Sequence, residues 1–113
     1  MTKEEISRKT LSYLGLARRC GKCAVGSDAV MSAVRKTGSE EKVAVILASD
    51  ASERTKKQIS DKCAHYGVTL VKDLLTGDEI ASAVGKKMTV STAALTEKNL
   101  ASAIRALIGK EVP

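Results

Sequence analysis

Val43-Ala44-Val45-Ile46-Leu47-Ala48 is an unbroken apolar run rich in β-branched residues, and its reading decides the fold class. A run with no polar face predicts a central strand covered by helices on both sides. Ser49-Asp50-Ala51-Ser52 follows as a turn, with Ser52 or Asp50 placed to cap a helix. On that helix Ile59, Cys63 and Tyr66 share one side and Lys56 and Lys57 another. Gly67 closes it, and Val68-Thr69-Leu70-Val71 predicts a second strand. Thr76 and Glu79 form a capping box that opens a short helix with Ile80, Ala83 and Val84 inward. Gly85-Lys86-Lys87 predicts a turn, and Met88 to Ala94 a third strand. Thr96 is placed to cap a last helix with Leu100, Ala103, Ile104 and Leu107 on its face, stopped by Gly109.

Upstream of the central strand, Thr2 and Glu5 make another capping box. Ile6, Thr10, Leu14 and Ala17 then recur at helical spacing, so a first helix should end near Arg18-Arg19. Ala24-Val25 reads as a brief extended piece before Gly26. Ser27 is positioned as the N-cap of a second helix, buried through Val30, Met31 and Val34 and ending near Thr37-Gly38. Strands alternating with helices predict an α/β fold: a three-layer α/β/α sandwich with a small mixed central sheet of about four strands. One domain over residues 1–113 is expected, since the chain shows no linker, repeat or low-complexity tract.

Composition narrows the function classes. The chain is 43% hydrophobic, yet its only aromatics are Tyr13 and Tyr66. Proteins that hold single strands by stacking need aromatic platforms, which disfavours an RNA-recognition sheet or an oligonucleotide-binding barrel. The net charge of +6 favours polyanions. Residues 1–22 hold six basic residues (Lys3, Arg8, Lys9, Arg18, Arg19, Lys22) against Glu4 and Glu5, so basic character gathers at the first helix and the loop after it. No apolar run approaches the roughly 20 residues of a membrane span. Acidic residues stand where a signal peptide would be apolar, so the expected location is the cytoplasm, with no membrane partner. An odd count of cysteines (Cys20, Cys23, Cys63) fits reduced thiols there.

Gly26-Ser27-Asp28 sits at a helix start, where unpaired amides and the positive end of the dipole suit a phosphate. Gly26 lets a backbone approach closely, and Asp28 can accept from guanine N–H groups. Locally, a turn glycine and a helix cap account for the same residues. Cys20-x-x-Cys23 has zinc-knuckle spacing, with Cys63 and His65 as nominal further ligands. Cys63 lies on the stripe of Ile59 and Tyr66, however, and reads more simply as a core residue. The sole histidine, the lack of paired carboxylates in a catalytic frame and the lack of a nucleophile elbow leave no acid–base machinery, so no enzyme, cofactor or small-molecule substrate is expected. Lys22 stands on the wrong side of Gly26 for a phosphate-binding loop.

Three stretches carry a family resemblance. Gly15-Leu16-Ala17-Arg18-Arg19, Gly21-Lys22, Gly26-Ser27-Asp28-Ala29-Val30 and Ala33-Val34-Arg35-Lys36 resemble the opening of the ribosomal protein L7Ae/L30e/Gadd45 superfamily. Val45 to Ser52 resembles its strand running into an Ala-x-Asp-Ala turn, and Glu79-Ile80-Ala81 through Ala83-Val84-Gly85-Lys86 its Glu-Leu-Gly helix and Gly-Lys turn. Lys56-Lys57 and Asp61-Lys62-Cys63 extend the likeness to the bacterial YlxQ-type branch, and it runs over roughly residues 6–107. The resemblance implies non-enzymatic binding of structured, kink-turn-like RNA, ribosomal or ribosome-associated, by a monomer. It also implies that loops 21–28, 48–52 and 85–89 meet at one edge. The residues it points to are Gly21, Lys22, Gly26, Ser27, Asp28, Ala29, Ser32, Ser49, Asp50, Ala51, Lys86, Lys87 and Met88, with no catalytic or metal-ligating residue. Asp28, Ala29 and Ser32 stand where archaeal members carry an Asn-Glu pair and a Lys. An alternative reading is a protein- or zinc/thiol-dependent interaction module on the same fold.

Overall fold

The computed structural model describes residues 2–37 and 42–109. The helices are α1 (Lys3–Arg19), α2 (Ser27–Thr37), α3 (Glu53–Tyr66), α4 (Gly77–Ala83) and α5 (Lys98–Gly109). The strands are β1 (Cys23–Val25), β2 (Ala44–Leu47), β3 (Thr69–Val71) and β4 (Thr92–Leu95). They form one mixed sheet of order β1-β4-β2-β3, antiparallel at β1/β4 and β4/β2 and parallel at β2/β3. This is the expected α/β/α sandwich, in the expected element order.

The apolar run is a strand because both of its faces are needed. Ala44, Ile46 and Ala48 enter one core with Leu14 and Ala17 of α1, Ile80 and Ala81 of α4 and Ala101 and Ile104 of α5. Val43, Val45 and Leu47 enter the other, with Val30 and Val34 of α2 and Ile59 and Cys63 of α3. On β4, Ala93 and Leu95 face the first core and Ala94 the second. Period-two alternation is thus present, but hidden, because both faces are apolar.

The helix starts follow from their caps. Thr2 and Glu5 make the expected capping box of α1, and Thr76 and Glu79 that of α4. Ser52, not Asp50, caps α3, its Oγ accepting the Thr55 N–H at 3.2 Å. The buried residues of α1 are Ile6, Thr10, Leu14 and Ala17, and the Thr10 hydroxyl donates to Ile6 O at 2.7 Å. That internal bond lets a polar residue sit in the core.

Several boundaries differ from expectation. Gly26 rather than Ser27 caps α2, since its carbonyl accepts the first helical bond from Val30 N–H at 2.9 Å. Glu97 rather than Thr96 caps α5: its carbonyl takes Ala101 N–H and its carboxylate takes Leu100 N–H at 2.8 Å. β4 begins at Thr92, not Met88, because residues 86–91 arc over the start of α4. Ala81 is buried on α4 where Ala83 is half-exposed. Gly38, expected near the end of α2, lies outside the described residues. No helix among the described residues is long and apolar enough to cross a membrane.

Candidate nucleic-acid interface

At the end of the sheet where β1 and β2 finish and β4 begins, Gly26 turns the chain from β1 into α2. Its φ of +93° is a left-handed conformation that side-chain-bearing residues rarely adopt. Its N–H donates to Thr92 O at 2.9 Å, which fixes the turn against the start of β4. The N–H groups that open α2 have no carbonyl a turn behind them, so they are unpaired donors beside exposed Asp28 and Ala29.

The loop after β2 is pinned to the same end. Ala48 N–H donates to Ser91 O and Ser49 N–H to Leu75 O, each at 2.8 Å. Asp50 Oδ1 accepts the N–H of Gly77 at 2.8 Å, and Val90 N–H donates to Gly77 O at 3.1 Å. Gly77 is buried, and a Cβ there would run into Thr89 Oγ1 and come within 3.1 Å of Val90 O. Three chain segments therefore close on one another above the sheet end. They leave an open cleft of about 400 Å³ lined by Asp50, Ala51, Ser52, Thr55, Thr89 and Ser91. Four of these six carry hydroxyls, each able to donate and to accept, which suits ribose, phosphate or a base edge.

Of the expected residues, the fold brings Gly26, Ser27, Asp28 and Ala29 to this end together with Ser49, Asp50 and Ala51. Ser32 is half-buried one turn into α2. Lys86, Lys87 and Met88 are exposed on the arc leading to Thr89, Met88 at 81%. Asp50 differs in role from expectation, since one of its oxygens is committed to Gly77 and ties two loops together.

Gly21 and Lys22 are elsewhere. Expected as part of one loop with Gly26, they are separated from it by β1 and lie at the opposite end of the sheet, where Lys22 O accepts Thr96 N–H at 2.9 Å. Gly21, at φ +72°, is the left-handed residue that ends α1: its N–H returns to Arg18 O, and Lys22 N–H reaches Ala17 O at 2.8 Å. Those paired bonds make a Schellman motif, so Gly21 is explained by helix termination.

Sequence reasoning missed Thr89 and Ser91, which line the cleft, and Thr92, whose buried hydroxyl donates to Ile46 O at 2.7 Å. Their signal is the hydroxyl-rich run Thr89-Val90-Ser91-Thr92, which reads as ordinary strand. Arg54, exposed in the first turn of α3 beside Ser52 and Thr55, was also missed. Among the described residues no three His, Cys, Asp or Glu side chains lie together as a metal site. Cys63 is buried in the core between α3 and the sheet, while Cys20 is exposed at the end of α1.

The Ribosomal protein L7Ae/L30e/S12e/Gadd45 family matches residues 8–104. The chain belongs to this family. Among its L7Ae-type relatives, the RNA-binding protein YlxQ of Enterococcus faecium is 35% identical over 79 residues, 70% of this chain and 73% of the relative. The RNA-binding protein YlxQ of Bacillus subtilis (strain 168) is 32% identical over 95 residues, 84% and 90% of the two chains. A Bacillus halodurans C protein of unknown function superposes with TM-score 0.78 at 31% identity, covering 89% of this chain and 97% of that one. The Giardia lamblia 15.5kD RNA binding protein also superposes at 0.78, covering 97% and 90%, and at 18% identity it shares the L7Ae-type fold alone.

Proposed function

We propose that this chain is a non-catalytic RNA-binding protein that holds a structured, kink-turn-like RNA at the loop edge. The observation that carries the reading is that Gly26, Ala48 and the segment Thr89–Thr92 are hydrogen-bonded together at one sheet end, beside the start of α2 and a hydroxyl-lined cleft. Membership in the L7Ae family and two relatives named as RNA-binding proteins support it. The amides opening α2 take phosphate, and Asp28 accepts from base N–H groups exposed in a bent RNA. Lys86, Lys87 and Arg54 flank that edge and supply phosphate contacts. Recognition by edges and shape suits a chain with two aromatic residues. With Ala29 and Ser32 standing where archaeal members carry a Glu and a Lys, reading of base edges leans on the Asp28 carboxylate. The proposed setting is a cytoplasmic monomer acting on ribosomal or ribosome-associated RNA, with no small-molecule substrate.

The deciding experiment is calorimetric titration of the full chain with a kink-turn RNA and with a straight hairpin of equal length. Tighter binding of the kink-turn, persisting as salt rises, is the expected result. Absence of binding to either RNA at low salt would remove the proposal. Equal binding that fades equally with salt would reduce it to a charge effect.

A further inference from the structure

A cluster of exposed basic residues stands away from the loop edge. At that edge Lys86, Lys87 and Arg54 stand against Asp28 and Asp50. At the other end of the sheet stand Arg18 and Arg19 in the last turn of α1, Lys22 in the loop beyond it and Lys98 in the first turn of α5, all exposed. The bond from Thr96 N–H to Lys22 O ties these two segments together. Arg18 also lies near Cys23, where its charge opposes the rise that burial imposes on that thiol. Among the described residues Glu97 brings a carboxylate to this end, where it accepts Leu100 N–H. Lys42 is set aside, because Glu40 and Glu41 precede it in the chain.

Folding alone does not call for this arrangement. The dipole of α1 favours Arg18 and Arg19, but a cation in the first turn of a helix is disfavoured, and α5 carries Lys98 there directly after its acidic cap Glu97. Nor does the cluster suit a protein partner. Leu16, 40% exposed, and Met88, on the arc before Thr89, are the large apolar side chains exposed among the described residues. A protein interface needs an apolar core that Leu16 alone does not provide. Unpaired cations without apolar or aromatic anchors fit a phosphate backbone.

We propose that Arg18, Arg19, Lys22 and Lys98 form a second RNA-contact surface that takes the backbone of a duplex separate from the RNA held at the loop edge, so that one chain bridges two RNA segments. The inference rests on the RNA-binding reading. β4 alone puts roughly 13 Å between the two ends, with loops beyond each, in a molecule of 31 × 29 × 29 Å. The two surfaces face apart, and a second helix can dock without displacing the first.

The test immobilises a kink-turn RNA, saturates it with the full chain and adds a labelled plain RNA duplex. Wild type should capture the duplex, with affinity for it falling roughly 40-fold between 50 and 200 mM salt for about three neutralised phosphates. Neutralising the surface (R18Q, R19Q, K22Q and K98Q together) should cut capture at low salt by at least roughly tenfold while leaving kink-turn affinity within about twofold. Lys98→Glu guards against misfolding: it places an acid in the first turn of α5, should hold or raise stability, and should still weaken capture. Undiminished capture by the neutralised chain overturns the inference. So does parallel loss of kink-turn affinity, which means a single surface, and so does capture of polyglutamate in preference to duplex. Failure of wild type to bind the immobilised RNA at all removes the loop-edge reading instead, and is distinguished at the first step.

Discussion

Asp50 Oδ1 accepts the backbone N–H of Gly77 at 2.8 Å and so joins two loops 27 residues apart in sequence. The donor belongs to a buried residue at the start of α4, where the helix dipole favours a negative charge. Asp50→Ala leaves that amide without its partner and should destabilise the fold by about 1–3 kcal/mol. Asp50→Asn retains an acceptor oxygen and should lose less. Urea denaturation of the two variants checks this, and equal midpoints for Asp50→Ala and wild type would show the bond to be idle.

Gly77 is close-packed, not a hinge. In most helices Gly→Ala adds stability, because alanine is the better helix former. Here the new Cβ meets Thr89 Oγ1, with Val90 O at 3.1 Å and Asp50 Oδ1 at 3.3 Å. Gly77→Ala should therefore destabilise by about 1–3 kcal/mol. Adding Thr89→Ala should recover part of the loss, since the hydroxyl is the nearest obstacle. Purely additive effects in that double-mutant cycle would mean that the two residues do not oppose each other.

These ties also mark where sequence reading stops. β2 was legible because an apolar run with no polar face has few other uses, and α1 because its capping box and its stripe agree. The arc 86–91 was not. Val90 is only 7% exposed, so it resembles a strand residue, but it anchors a loop across α4 rather than joining the sheet. The cap of α5 was missed because Thr96 and Glu97 are adjacent, and local sequence favours Thr as a cap while the backbone bonds select Glu97. For the candidate site, the family-like motifs pointed to Gly26–Ala29 and Ser49–Ala51, which the fold brings to one end of the sheet. They also grouped Gly21 and Lys22 with Gly26, because proximity in sequence hides the three-residue strand that puts them at opposite ends. The partnership of Asp50 with Gly77 depends on the sheet order, which no local pattern encodes.

Burial sets the cysteines apart in reactivity. The Cys63 thiol is pushed up to about 11 from an ordinary 9.0 by burial, and that of Cys23 is raised for the same reason, with Arg18 opposing. A maleimide or disulfide reagent at mildly alkaline pH should label exposed Cys20 first and Cys63 only on unfolding. Because the folded value of Cys63 lies above the unfolded one, its contribution to stability is complete below pH 9 and lost as pH rises toward 11. Wild type should lose more stability than Cys63→Ala between those pH values, as read from denaturant midpoints. Parallel curves for the two proteins would refute the assignment.

At the loop edge, specificity and affinity should separate by residue. Lys86 and Lys87 are exposed on the arc before Thr89, where flexible cations neutralise phosphates without reading sequence. Replacing either by Ala should lower the slope of log affinity against log salt by roughly one unit and leave the preference for kink-turn over hairpin RNA unchanged. Asp28 is an acceptor beside the unpaired amides of α2, and a carboxylate near phosphates gains nothing unless it accepts from a base. Asp28→Ala should therefore cost about 1–3 kcal/mol against the kink-turn alone. Binding to the hairpin should hold or improve, because a repelling charge has gone. Titrations of both RNAs across a salt series separate the outcomes, and a loss shared equally by kink-turn and hairpin in Asp28→Ala would mean that this carboxylate supports the helix start rather than reading RNA.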